Sequence, residues 1–259
     1  MSLLSQSQQS NLLLQRMSAA DFSLLAPGLE PVLLPRHEMM CRAGERAAHA
    51  FFPTSGVGSL IAQSPEGLRV EAGLFGRDGF APTAFAMDDD RSPFEGTMQL
   101  PGEGYRIEAS RLQDAVGASI PLRALLQRFA QALATQSGFT ALSNAVHSVE
   151  ERLARWVLMC DDRVVSGELG MTHEFMSVML GVRRPSVTTA LHVLEGSGFI
   201  RSDRGCITVR DRESLEAFAS DAYGKPEAEY RRLLGTGPLA PTLGAPIDGR
   251  PLGTDAPGA

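Results

Sequence analysis

The chain is poor in cysteine, nearly free of lysine, and has no long apolar run. Its 259 residues include three cysteines, Cys41, Cys160 and Cys206, spaced far apart. An intrachain iron–sulfur cluster usually needs four thiolates, so none is expected. No His/Cys pair has metal-ligand spacing. The three thiols read as small core or strand residues, and His37 and His49 read as structural rather than as haem ligands. No apolar stretch reaches membrane-spanning length and no signal-peptide pattern opens the chain. A cytoplasmic protein with no membrane partner is therefore expected. There is no Ser/His/Asp set and no phosphate-binding loop. Gly76-Arg77-Asp78-Gly79 is too short for one and reads as a hairpin turn. These absences argue against an enzyme.

The 43% hydrophobic content is that of a soluble globular chain with room for one or two cores. The formal net charge is −6, an unpromising total for a nucleic-acid binder. The local balance differs. Between Gly181 and Arg210 stand five arginines (Arg183, Arg184, Arg201, Arg204 and Arg210) against two acids, Glu195 and Asp203. Lys225 is the only lysine.

That basic stretch coincides with the most structured pattern in the sequence, Thr172 to Val209. Thr172 is a good N-cap, and Glu174 places an acid in the first turn. Phe175, Met176, Met179 and Leu180 recur at helical spacing. Gly181 ends that helix where a left-handed residue is needed. Pro185 suits the first turn of a second helix, whose buried face is Val187, Leu191 and Leu194. Its other face carries Arg184, Ser186, Thr188, Thr189 and His192, side chains able to reach base edges or phosphates. Gly196 and Gly198 close it. Phe199–Arg201 and Cys206–Val209 read as a strand hairpin with Arg204 at its tip. This is the outline of a winged helix-turn-helix.

Upstream, seven short strands are expected at Pro31–Leu34, Met39–Cys41, His49–Pro53, Gly58–Gln63, Leu68–Leu74, Phe94–Leu100 and Gly104–Glu108, a spacing that suggests a jelly-roll or barrel. Pro121 opens a helix to about Asn144. Its stripe of Leu122, Leu126, Phe129, Leu133, Gln136 and Thr140 can pack on the barrel or on a partner helix. Ser148 with Glu151 forms a capping box for the next helix, anchored by Leu153 and Trp156. The Ser/Gln-rich start and the Gly/Pro-rich end read as mobile tails.

The segments S-V-E-E-R-L-A-R-W-V-L, T-H-E-F, L-G-V-R-R-P-S-V, L-E-G-S-G-F-I and I-T-V resemble the DNA-binding domain of Crp/Fnr family transcription regulators. The resemblance implies an α+β chain in five parts: an N-terminal tail (1–19), a cyclic-nucleotide-binding-like sensor barrel (20–118), a dimerisation helix (119–147), a winged helix-turn-helix (148–220) and a mostly disordered tail (221–259). It implies a parallel homodimer on a pseudo-palindromic operator, with double-stranded DNA, and RNA polymerase in addition, as partners. The DNA contacts would be Thr172, Arg183, Arg184, Ser186, Thr188, Thr189, His192 and Arg204. Arg184 matches the family's first base-reading arginine. Pro185 and Thr189 stand where Glu and a second Arg are usual. A cyclic nucleotide is the candidate effector. Arg91 and Ser92 match the second half of its phosphate cassette, but Phe80 replaces the ribose-binding Glu, and Asp88, Asp89 and Asp90 oppose an anion. The alternative reading is a ligand-responsive protein-interaction module without DNA binding, which predicts no salt-dependent duplex binding.

Overall fold

The structure, a computed structural model, describes residues 5–164 and 167–235. The chain enters through helices α1 (Leu12–Arg16) and α2 (Ala19–Leu25). This corrects the tail expected over 1–19. The polar composition hides three consecutive leucines, and Leu12, Leu13 and Leu14 are all buried. Asn11, also buried, accepts from the N–H groups of Leu13 and Leu14 (3.1 Å each). Its amide donates to the carbonyls of Pro53 and Gly79 (2.8 Å each). A buried amide satisfied on both sides pins the segment to the sensor. Residues 1–4 of the expected tail lie outside the described residues.

Seven strands follow: β1 (Glu30–Leu34), β2 (Met39–Cys41), β3 (His49–Pro53), β4 (Val57–Gln63), β5 (Arg69–Gly76), β6 (Glu95–Leu100) and β7 (Gly102–Glu108). All seven expected strands are present, with small differences at their ends. They form two antiparallel sheets, ordered β1-β7-β3 and β2-β6-β4-β5. The expected barrel is thus an open jelly-roll whose two sheets share one core. That core is filled with rings: Phe52 stacks on Phe80 at 5.5 Å, and Phe80 meets Phe129 at 5.7 Å.

Helix α3 (Ala109–Ala118) leads to the long helix α4 (Ile120–Val146). The whole predicted stripe of α4 is buried within this one chain. Gln136 accepts from the Leu74 N–H at 2.5 Å and returns a bond to its carbonyl at 3.2 Å, zipping α4 to β5. The stripe therefore belongs to the sensor core and not to a partner helix.

Beyond α4 come α5 (Val149–Asp161), β8 (Glu168–Gly170), α6 (His173–Leu180), α7 (Arg184–Gly196), β9 (Ile200–Asp203), β10 (Cys206–Val209) and α8 (Arg212–Ala219). The Ser148/Glu151 capping box opens α5. Gly181 ends α6 with φ +61°, in the left-handed region that its sequence position required. Strand β8, too short to announce itself in sequence, adds an edge to give the order β8-β10-β9.

A last helix, α9 (Lys225–Leu234), corrects the disordered tail expected from residue 221. Pro226 in its first turn starts the helix. Tyr230 and Leu234 then enter the sensor core beside Phe129 and Leu133. The Gly/Pro-rich residues 236–259 of that expected tail lie outside the described residues.

Candidate DNA-binding interface

Helix α6 is capped by Thr172, whose hydroxyl accepts from the Phe175 N–H at 3.2 Å. Its buried face, Met176, Met179 and Leu180, packs with Val187, Ala190, Leu191 and Leu194 of α7 and with Trp156 of α5 in one cluster. This burial fixes the rotation of α7 about its axis. Arg184, Pro185, Thr189 and His192 are consequently exposed, with Arg183 beside them as the N-cap residue. Arg204 and Gly205 form the wing tip, both with positive φ (+48° and +79°).

The expected contacts divide into two groups. Arg183, Arg184, His192 and Arg204 are fully presented. The hydroxyls of Thr188 and Thr189 donate back to the carbonyls of Arg184 and Pro185 at 3.3 and 3.2 Å, and Ser186 is half-buried. Thr172 uses its hydroxyl as a cap, while remaining exposed. One neighbour escaped the sequence reading. His173, at the start of α6, sets Nδ1 3.0 Å from the Thr188 hydroxyl and so ties α6 to α7. Spacing could not have shown this, because the contact crosses the turn.

Arg91 and Ser92 face different surroundings. Arg91 is exposed, donates to the Gly44 carbonyl at 2.8 Å and leans toward Asp90. Ser92 is buried, and its hydroxyl accepts from the Phe94 N–H at 3.1 Å. Phe80 is fully buried among rings. A Cβ on Gly79 would fall 1.8 Å from Phe129, so that ring lies directly on the backbone preceding Phe80.

A second polar cluster joins sensor to winged domain. Glu71 of β5 is buried; one carboxylate oxygen accepts from Trp156 Nε1 at 3.0 Å and the other from Ser59 Oγ at 2.6 Å. Burial pushes its pKa up to about 7, against the pull of those two bonds and of Arg155 and Arg163. Arg155 donates to Thr140 Oγ1 at 3.1 Å. Arg163 pairs with Asp78 at 2.7 Å, both side chains under 5% exposed. Arg212 ties together Asp161, Asp162, Glu216 and the Tyr223 hydroxyl. Burial holds the Asp162 carboxyl at about 6 despite Arg212. Val57, Ile61, Leu74 and Leu100 of the sensor share one apolar cluster with the winged domain.

Among the described residues no helix is long and apolar enough to cross a membrane, and no group of three or more His, Cys, Asp or Glu could hold a metal. Residues 151–218 match the family model of the Crp-like helix-turn-helix domain. A comparison with curated proteins finds no match. Among solved structures the chain is similar to FixK2 from Bradyrhizobium japonicum (TM-score 0.63, 17% identity, covering 74% of this chain and 98% of that one). It is also similar to a Crp/Fnr family transcriptional regulator from Eubacterium rectale (0.60, 18%, covering 80% and 97%). A third match is the c-di-GMP-responsive global regulator CLP of Xanthomonas campestris (0.58, 16%, covering 74% and 99%). Residues 151–218 thus carry a Crp-like helix-turn-helix domain, and the chain shares the fold of solved Crp/Fnr family regulators.

Proposed function

We propose that this protein binds a pseudo-palindromic operator as a cytoplasmic homodimer and that α7 reads the major groove. The observation that carries this reading is the exposed row Arg183, Arg184, Thr189 and His192 on a helix whose other face is locked into a core. A planar guanidinium at Arg184 can pair with guanine O6 and N7. The acidic remainder of the chain limits non-specific attachment, so binding falls steeply with salt. In a titration of duplexes selected from a random pool, Arg184→Ala loses roughly 1–3 kcal/mol and relaxes one base position. An unchanged selected sequence removes Arg184 from the reading set. Duplex binding that does not respond to salt removes the DNA reading itself.

The dimer seam is the face of α4 opposite the buried stripe. Ile120, Ala124, Gln127, Gln131, Ala134, Gly138, Ala141 and Ala145 recur at alternating spacings of three and four, and all but half-buried Ala124 are exposed. That spacing is the heptad of a two-stranded coiled coil, here built from small residues that permit close approach. Ala134→Asp places like charges face to face across the seam. Such a juxtaposition costs several kcal/mol, on the order of 100-fold in dimer affinity. Sedimentation equilibrium should show monomer at concentrations where the parent is dimeric; an unshifted dimer places the seam elsewhere.

A further inference from the structure

The outer face of the β2-β6-β4-β5 sheet carries polar groups that the fold itself does not use. Side chains alternate along β6. Met98 enters the sensor core, so Thr97 and Gln99 stand on the opposite face, the one that α6 covers. There Met39 and Ser59 flank Thr97 in register, and Ser59 meets Met179 of α6. Thr97 is 6% exposed and Gln99 4%. Among the described residues neither side chain has a hydrogen-bond partner. An unpaired buried amide or hydroxyl is a cost to the fold, and a native structure rarely keeps one without a use.

Both groups line a cavity of about 260 Å³ between the sensor and α6. Its walls are apolar and come from both sides: Met39 and Ile61 from the sheet, Phe175, Val178 and Met179 from α6. The methionines adapt to irregular shapes, and Phe175 offers a ring to pack on. At the rim Arg69 and Glu95 form an ion pair with each other, so neither is left to hold an ionic ligand. His37 completes the rim on the solvent side. A mostly apolar cleft with a few convergent polar groups is the usual form of a small-molecule site. Common sites span ~300–1,000 Å³, so the occupant here is small.

We propose that this cavity binds a small, uncharged molecule with an apolar, ring-bearing body and a carboxamide or lactam head. The Gln99 amide presents a donor and an acceptor side by side. A carboxamide or lactam edge presents the same pair in reverse and satisfies both, while the Thr97 hydroxyl supplies one further bond. The body lies against Phe175 and the two methionines. The interior of the jelly-roll, by contrast, is filled by Phe52, Phe80 and Phe129. One wall of the cavity is the sensor sheet and the other is the first helix of the helix-turn-helix. An occupant therefore touches both domains and favours their docked arrangement. The site stands whether or not α7 reads DNA.

The test uses the full chain and three probes of similar shape: benzamide, benzoate and toluene. The ring of Trp156, the chain's single tryptophan, is 5.8 Å from that of Phe175, so its emission reports occupancy. Benzamide is expected to shift that emission saturably, slow amide exchange across α6 and raise the urea midpoint. Benzoate and toluene are expected to bind at least about 10-fold more weakly. Gln99→Met keeps the length of the side chain and removes its amide. It should weaken benzamide about 10-fold and leave the urea midpoint of the ligand-free chain unchanged or higher, since the amide it removes is unpaired. Thr97→Val, a near-isostere, should act in the same direction by less. Absence of a saturable response to benzamide up to its solubility limit overturns the site. Equal binding of the three probes, or benzamide binding untouched by Gln99→Met, overturns the polar head. A ligand-free Gln99→Met chain that unfolds at lower urea shows that the amide serves the fold, and overturns the proposal as well.

Discussion

Arg163→Met should be the most damaging single substitution at the domain junction. Arg163 and Asp78 are 2.7 Å apart, with side-chain exposures of 4% and 2%. Burial opposes the Arg163 charge, but the carboxylates of Asp78 and Asp162 outweigh it and its pKa is raised overall. Removing the guanidinium strands the Asp78 carboxylate in the interior, with the Gly76 N–H at 2.8 Å as its remaining donor. Breaking a buried pair on one side costs about 3–5 kcal/mol, much more than the pair itself contributes. Urea unfolding should show that loss. The double variant Asp78→Asn with Arg163→Met should recover a large part of it, because no charge is then left unpaired. A single variant within about 1 kcal/mol of the parent shows that the sensor and winged domain do not depend on this pair.

The position of that pair explains what was and was not legible in the sequence. Local rules carried the winged domain well. Thr172, Gly181, Pro185 and the Ser148/Glu151 box each act within four residues, and each cap and turn formed as read. The seven strands announced themselves through the Gly/Pro breaks between them. What failed was inference from regional composition. A polar opening stretch concealed Leu12, Leu13 and Leu14, and a Gly/Pro-rich end concealed Tyr230 and Leu234. Each is a small apolar set pinned to distant parts of the chain, Asn11 beside the leucines bonding to Pro53 and Gly79 and Tyr230 to Asp78, so no local pattern reveals the burial. The junction was illegible for the same reason. Glu71 and Trp156, or Asp78 and Arg163, are each 85 positions apart. In sequence, Asp78 is simply part of a hairpin turn. The face proposed as the α4 seam is faint in sequence because its alanines and glutamines carry little hydrophobic signal, while Leu122 to Thr140 on the other face carry more.

Glu71 should make the stability of the docked form depend on pH, in the direction opposite to ordinary acid denaturation. Its carboxyl sits between β5 and α5, accepting from Trp156 and Ser59, with Arg155 and Arg163 as the nearby cations. Burial raises it from an ordinary 4.5 to about 7, so the folded chain holds this proton more tightly than the unfolded chain does. The sign follows. Its stabilising contribution is complete below about pH 4.5 and disappears as pH rises through about 7. A shift of that size corresponds to about 3 kcal/mol between the two limits. Asp162, held at about 6, adds a slope of the same sign. The decisive measurement is therefore the difference made by Glu71→Gln, which keeps an acceptor for Trp156 but cannot ionise. Urea midpoints followed by Trp156 emission should show the parent weakening between about pH 5 and 8, and the variant weakening less and exceeding the parent at the upper end. Parallel slopes for the two proteins would mean that Glu71 is not the titrating group. The expected divergence instead places a proton at the contact between β5 of the sensor and α5 of the winged domain, so that raising the pH past neutrality loosens that junction.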